Sequence, residues 1–230
     1  EFIFNKEYNH SYDNLLYGNN IAIKAALKNN YPKDLLIEHG YYFGDYVPLK
    51  TLMYKNVVTF SEKRVESINN FLQKNGYKKK KITVITVGPY INYAEGLMTE
   101  RQKAELKKNF GKILLVFPCH SIEGVIYEFN IKDFIDEIER IKMLDNFNSV
   151  FICMYWKDIL DNRYVEYYKE RGYKIVTAGH RNDPYFLGRL KDIIDLSDVT
   201  MSNSLGTHIG YCLARNKPHY IYNQEPFIKG

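Results

Sequence analysis

From Lys112 to the C-terminus, short apolar runs alternate with longer amphipathic stretches, and this alternation leaves few folds open. Residues 112–118 (KILLVFP) are apolar at consecutive positions, so both faces of an extended chain would be covered. Residues 133–143 place Phe134, Ile135, Ile138 and Ile141 at helical spacing. Residues 149–156 (SVFICMYW) predict the next strand, and 163–171 a helix closed by Gly172. Residues 174–178 (KIVTA) predict a third strand. Pro184 then opens a helix running to Ile194, with Asp183 as its N-cap. A short strand at 199–201, a helix at 206–214 and a strand at 219–222 complete the series.

Buried strands alternating with helices imply βαβ units and a parallel sheet with right-handed crossovers. The expected fold class is therefore α/β, with a Rossmann-like parallel sheet in the C-terminal domain. In such sheets ligands bind outside the carboxyl ends of the strands. That rule selects four loops: His120 and Ser121, residues 156–158, residues 179–182 and residues 202–207.

The first 110 residues repeat the pattern less clearly. Helices are predicted at 20–28, 62–72 (capped by Ser61) and 99–108, and strands at 34–38, 56–60 and 82–87. This gives a smaller, shortened α/β domain at 1–95, a linker at 96–111 and the nucleotide-binding domain at 112–230.

Composition narrows the function. With 45% hydrophobic residues the chain can bury a core. A formal charge of +5 is mild, so no nucleic-acid partner is expected, whereas a phosphorylated ligand or an anionic membrane face would suit it. Three cysteines without a CxxC pair argue for a reducing, cytoplasmic setting and against a disulfide framework or zinc site. No signal peptide is visible, and no apolar stretch approaches the roughly 18 residues that cross a bilayer. The four-lysine run 78–81 reads as a solvated charge run, with peripheral contact to an anionic inner-membrane leaflet as the minority reading. The 21 tyrosines read mainly as packing residues.

The most specific segment is 198–218. A strand enters Ser202, Asn203 and Ser204, Gly206 and Thr207 open a helix, and Lys217-Pro218 precedes the next strand. Helix N-terminal N–H groups carry partial positive charge, hydroxyls add donors, and Gly206 lets a phosphate approach the backbone. Ordinary capping by Ser and Thr is the competing explanation. His120 could neutralise a phosphate oxygen, and Gly179, His180 and Arg181 close the third strand where base, ribose or phosphate would lie. Glu123 and Gly124 share the His120 loop. GxGxxG, Walker A, HExxH and GxSxG patterns are all missing.

The 198–218 segment resembles the donor-site element of GT-B glycosyltransferases and of the related non-hydrolysing UDP-sugar 2-epimerases. Arg-Asn-Lys-Pro stands here in place of Gly-Lys-Pro, and Thr207-His208 in place of the acidic residue that opens the helix in that family. Residues 86–89 resemble the turn that closes the family's N-terminal domain. Residues 112–121 resemble the first strand and loop of its nucleotide domain. The likeness covers residues 81–230 well and 1–80 poorly.

The resemblance implies a metal-independent glycosyltransferase of bacterial capsule or lipopolysaccharide assembly, needing no cofactor beyond its substrate. A nucleotide-sugar donor would be held by His120, Ser121, Gly179, His180, Ser202, Asn203, Ser204, Gly206 and Thr207. A saccharide or glycolipid acceptor would lie against residues 38–43, with His39 or Glu38 as general base and Asp45 as a weaker candidate. Two alternatives stay open: a UDP-sugar 2-epimerase, and a non-catalytic nucleotide-sugar-binding or assembly protein.

Overall fold

A computed structural model describes residues 9–10, 12–122 and 124–229. The chain divides into two compact units, residues 1–94 with 182–184 and residues 95–181 with 185–230. Each is a parallel α/β layer structure, as the alternation of apolar runs requires.

The first unit contains β1 (Asn9–His10), α1 (Asn19–Leu27), β2 (Asp34–Ile37), β3 (Asn56–Thr59), α2 (Lys63–Lys74) and β4 (Thr83–Thr86). Its four strands pair in sequence order, all parallel. Leu36, Val57, Ile68 and Leu72 form its core with Val47 and Tyr54. The helix predicted after Ser61 begins at Lys63, and its first turn has no side-chain cap.

The second unit contains α3 (Glu100–Phe110), β5 (Ile113–Phe117), β6 (Ile126–Glu128), α4 (Ile131–Leu144), β7 (Ser149–Cys153), α5 (Trp156–Leu160), α6 (Val165–Glu170), β8 (Lys174–Val176), α7 (Phe186–Leu196), β9 (Val199–Ser202), α8 (Thr207–Ala214), β10 (His219–Ile221) and β11 (Phe227–Lys229). The five-stranded sheet has the order β10-β9-β5-β7-β8, all parallel. Counted along this unit, the order is that of a doubly wound Rossmann-like sheet. Every residue of β5 is buried, as its central place demands. The apolar stripe Ile131, Phe134, Ile135 and Ile138 fixes α4 on the sheet with Leu114, Val116 and Ile152.

The segment 96–111, read as a linker, carries α3 and groups with the second unit. Thr99 and Gln102 form a capping box that starts this helix. Just before it, the buried Asp192 of α7 accepts the Leu97 and Met98 N–H groups at 2.6 and 2.8 Å and pairs with Lys103 at 3.1 Å. Asp192→Ala strands two donors and a cation in half-buried surroundings. An equilibrium urea titration should show a loss of about 2–3 kcal/mol.

Two element boundaries differ clearly from expectation. The strand predicted at 149–156 ends at Cys153, because Tyr155 turns the chain into α5. The helix predicted to open at Pro184 opens at Phe186, with Tyr185 rather than Asp183 at the cap position. Residues 182–184 belong to the first unit, where Gly18 (φ +72°) lies so close to the Pro184 carbonyl that an added Cβ would sit 2.1 Å from its oxygen. The antiparallel pair β6–β11 was not predicted at all. No helix among the described residues is long and apolar enough to cross a membrane.

Candidate functional site

The order of the second sheet reverses direction at β5. Connections leave β5 toward β7 and β8, then return to β9 and β10 on its other side. The carboxyl ends of β5 and β9 therefore flank the switch point, where open α/β sheets form their ligand crevice. The loops there are 118–121 and 203–207.

Asn203 ties these loops together. It is buried, its side-chain oxygen accepts the Cys119 N–H at 2.6 Å, and its amide donates to Gln224 at 2.9 Å. Gln224 in turn donates to the Asn130 carbonyl at 3.0 Å. With both ends of its amide committed, Asn203 acts as a strut between the two loops. Ser202 is likewise engaged within the protein. It is fully buried, and its hydroxyl lies 3.0 Å from His219 Nε2 and 2.9 Å from the Ser204 carbonyl. Ser204, Gly206 and Thr207 remain half-buried at the crevice, and Leu205 between them is exposed. Gly206 begins α8, whose first turn has no side-chain cap. A Cβ on Gly206 would lie 2.7 Å from His208 Nδ1, so this position needs glycine for close approach.

His120 is exposed at the end of β5, with its ring 4.6 Å from that of Tyr155. Its Nδ1 lies 3.0 Å from the Ser121 carbonyl. A carbonyl only accepts, so that bond puts the proton on Nδ1 and leaves Nε2 as the lone-pair nitrogen of the neutral ring. Ser121 is buried. Its N–H donates to Asp158 Oδ2 at 3.2 Å, and its hydroxyl accepts the Tyr127 N–H at 3.3 Å.

Sequence reasoning selected the loop that holds Asp158 but gave Asp158 no role. Burial pushes its carboxyl above the ordinary range, offset by His120 and the Ser121 hydrogen bonds. Its Oδ1 and the Tyr168 hydroxyl are buried without a hydrogen-bond partner among the described residues. Both residues line a cavity of about 10 Å³ together with Cys119 and His120. That space matches one water-sized group, and two orphaned polar atoms are the partners such a group requires.

The aromatic edge continues along the strand ends. Tyr155 and Trp156 rings are 5.6 Å apart, and Trp156 stands 4.3 Å from His180. His180 is exposed. Gly179 has φ +97°, and a Cβ there would meet the Arg189 guanidinium at 2.7 Å. Its absent side chain makes room for Arg189, whose Nε donates to the Ala178 carbonyl at 2.8 Å. The structure thus brings His120, Ser204, Gly206 and Thr207 to the switch point, and places Gly179 and His180 after β8, two strands away from β5. Glu123 lies outside the described residues.

Two further histidines lie beneath the crevice. His208 stacks on Phe117 with centroids 4.8 Å apart, and its Nε2 is buried with no partner among the described residues. His219 is 5.5 Å from His208 and hydrogen-bonds Thr200 and Ser202. Burial, then the neighbouring His219 and His120, push the His208 pKa down to about 3, and burial pushes His219 down to about 4. The Thr200 hydroxyl donates to the Pro218 carbonyl at 3.0 Å, so it accepts from His219 Nδ1. Their only sequence signal was the histidine at 208 in place of an acidic residue.

In the first unit, Glu38 and His39 separate. Glu38 is buried and paired with Arg64, Oε1 to Nη2 at 2.6 Å and Oε2 to Nε at 3.1 Å, while Thr59 donates to Oε2 at 2.6 Å. Arg64 and Thr59 thus hold both Glu38 oxygens, and His39 is the exposed one of the two base candidates. His39 is exposed beside Tyr17, ring centroids 4.9 Å apart. Asp45 accepts the Ser67 hydroxyl at 2.8 Å.

No protein-family model matches the chain, and no curated protein matches it. Among solved structures it is similar to the pneumococcal O-GlcNAc transferase GtfA in complex with UDP and GlcNAc, at 13% identity and a TM-score of 0.45, over 81% of this chain and 37% of that one. It is also similar to Medicago truncatula UGT71G1 complexed with UDP-glucose, at 13% identity and a TM-score of 0.29, over 75% of this chain and 43% of that one. The present chain therefore spans less than half the length of either protein.

Proposed function

We propose that the second unit binds a sugar nucleotide at the β5–β9 switch point, and that the chain serves nucleotide-sugar-dependent glycosyl transfer. One observation carries this reading: the Asn203 strut sets His120 and the uncapped start of α8 on the same edge of the sheet. That edge offers a histidine and the hydroxyls of Ser204 and Thr207. Such a set suits a diphosphate.

In the transfer step an acceptor hydroxyl forms a bond to the anomeric carbon, and the bond to the diphosphate oxygen breaks. The amide groups opening α8, with His120 when its Nε2 also carries a proton, would stabilise the charge that develops on that oxygen, without a metal. His39 is the candidate proton acceptor on the first unit. A bacterial surface polysaccharide or glycolipid as acceptor is the finest level of this proposal.

Binding is tested by a thermal-shift panel of UDP-, GDP-, CMP- and CDP-sugars, read together with the fluorescence of Trp156, the chain's single tryptophan. A ligand at 100 times its dissociation constant adds about 2.7 kcal/mol of stability. One nucleotide class should stabilise the protein and change the Trp156 emission. His120→Ala should weaken that ligand by at least about tenfold, near 1.4 kcal/mol. Silence toward all four classes would overturn the proposal. Binding without turnover in the presence of acceptors would leave a nucleotide-sugar-binding protein.

A further inference from the structure

We propose that the amino-terminal rim of the four-stranded sheet is a docking surface for an anionic phospholipid bilayer. The surface belongs to the first unit alone and does not depend on the sugar-nucleotide reading.

The parallel topology gathers charges that lie far apart in sequence. β2, β3 and β4 all start on one edge, and the residues just before them are Lys33, Lys55 and the pair Lys80-Lys81. Asp34 Oδ1 accepts the Lys55 N–H at 3.3 Å, and the Lys55 carbonyl accepts the Thr83 N–H at 2.8 Å, which locks the three starts side by side. As the crossover between parallel strands, α2 runs against them and ends on the same edge, delivering Lys74, Lys78 and Lys79. Lys28 closes α1 shortly before β2 begins. Lys80 is half-buried and the other seven lysines are exposed.

Little on the rim offsets this charge. Asp34 is its one acid among the described residues, and one of its oxygens is occupied by the Lys55 amide. Glu38 and Asp45 follow the carboxyl end of β2, and Glu62 and Glu66 stand at the start of α2, so they lie at the opposite edge. Asp13 is paired with Lys50. Residues 1–94 with 182–184 carry thirteen Lys and Arg against nine Asp and Glu, whereas residues 95–181 with 185–230 carry nineteen against eighteen. Most of the chain's excess positive charge thus sits on the first unit, and among that unit's described residues it concentrates at one edge.

Three features favour a bilayer over a nucleic acid. Every basic residue of the rim is lysine, a point charge suited to diffuse attraction, and none is the arginine that grips phosphodiesters bidentately. A cluster of this size falls in the range that recognises anionic lipid. The exposed apolar side chains here are Tyr77, 41% exposed within the lysine run, and Met53, 60% exposed two residues before Lys55. A tyrosine and a thioether can enter the headgroup layer, whereas no paired aromatic faces stand ready for stacked bases among the described residues of the rim.

The test is co-sedimentation of the full chain with phosphatidylcholine vesicles made with and without phosphatidylserine. Binding should require phosphatidylserine and vanish at high salt. Each lysine near the surface contributes about a fivefold factor in partition. Lys33→Gln with Lys55→Gln should therefore lower partition at least about tenfold, and Lys78→Gln with Lys79→Gln and Lys81→Gln should lower it further. Lys132→Gln with Lys174→Gln, exposed lysines of the second unit, makes the same change in net charge and should leave partition nearly unchanged. All variants replace exposed side chains, and their thermal melts should match the parent. Three results would overturn the proposal: no sedimentation with phosphatidylserine vesicles, equal losses in the rim and control variants, or tighter lysine-dependent binding to single-stranded DNA than to vesicles.

Discussion

Arg64→Ala will cost the protein about 3–5 kcal/mol, read as a lower urea midpoint for the first unit's transition. The arginine is 2% exposed, and its guanidinium holds both oxygens of a carboxylate that is itself 2% exposed. It also donates to the Gly44 carbonyl at 3.3 Å and lies 4.4 Å over the Tyr42 ring. Removing it leaves the Glu38 carboxylate buried without its ion-pair partner, with Thr59 as its one remaining side-chain donor among the described residues. The cost is the desolvation of an unpaired ion, not the net worth of the pair. The double variant Glu38→Leu with Arg64→Met, which removes both charges and keeps the volume apolar, should recover at least half of the loss. A single-variant loss below about 1 kcal/mol would show that Glu38 reaches water or another partner, and would strengthen its candidacy as a base.

Acid will act on the second unit through His208 and His219. In the folded chain both rings are held neutral, with pKa values pushed down to about 3 and about 4 from an ordinary 6.5. The unfolded chain therefore binds more protons as the pH falls below about 6.5. Stability is full above that point and declines on the acid side until the folded rings take up protons themselves. Each neutral histidine contributes a slope of about 1.4 kcal/mol per pH unit, so the pair removes up to about 4 kcal/mol between pH 6.5 and pH 5. Chemical denaturation across that window should give a slope approaching two protons. His208→Gln should bring it near one. A flat profile would mean that the ring stacked on Phe117 is reached by solvent.

The buried strands were readable because a strand covered on both faces must be apolar at consecutive positions. ILLVF at 113–117 could hardly be anything else once periodic helices flanked it. β6 and β11 escaped for the opposite reason. Three-residue strands that pair across nearly the whole second unit carry no local pattern, since their partner is chosen by tertiary position. At the site, the switch-point rule found the right loops but could not sort the residues within them. Ser202 and Ser204 look alike in sequence. Alternation along the strand turns Ser202 toward His219, while Ser204 lies past the strand end where the chain has left the sheet. Glu38 looked catalytic because an acid beside a strand end usually faces a crevice. Its partner lies 26 residues away on the following helix, and nothing local announces the pair. His208 was visible only as a departure from an expected acid, and its packing against Phe117 depends on two strands and a helix meeting correctly.

The excursion at 182–184 has a consequence for how the protein can be taken apart. The chain passes from the first unit to the second at 94/95, goes back for three residues and then returns. A single cut after Ala94 would therefore sever the first unit from part of itself, because the carbonyl stitched against Gly18 travels with the other piece. Dissecting the two halves requires circular rearrangement or a short graft, and neither is a cassette that can be lifted out with one pair of ends.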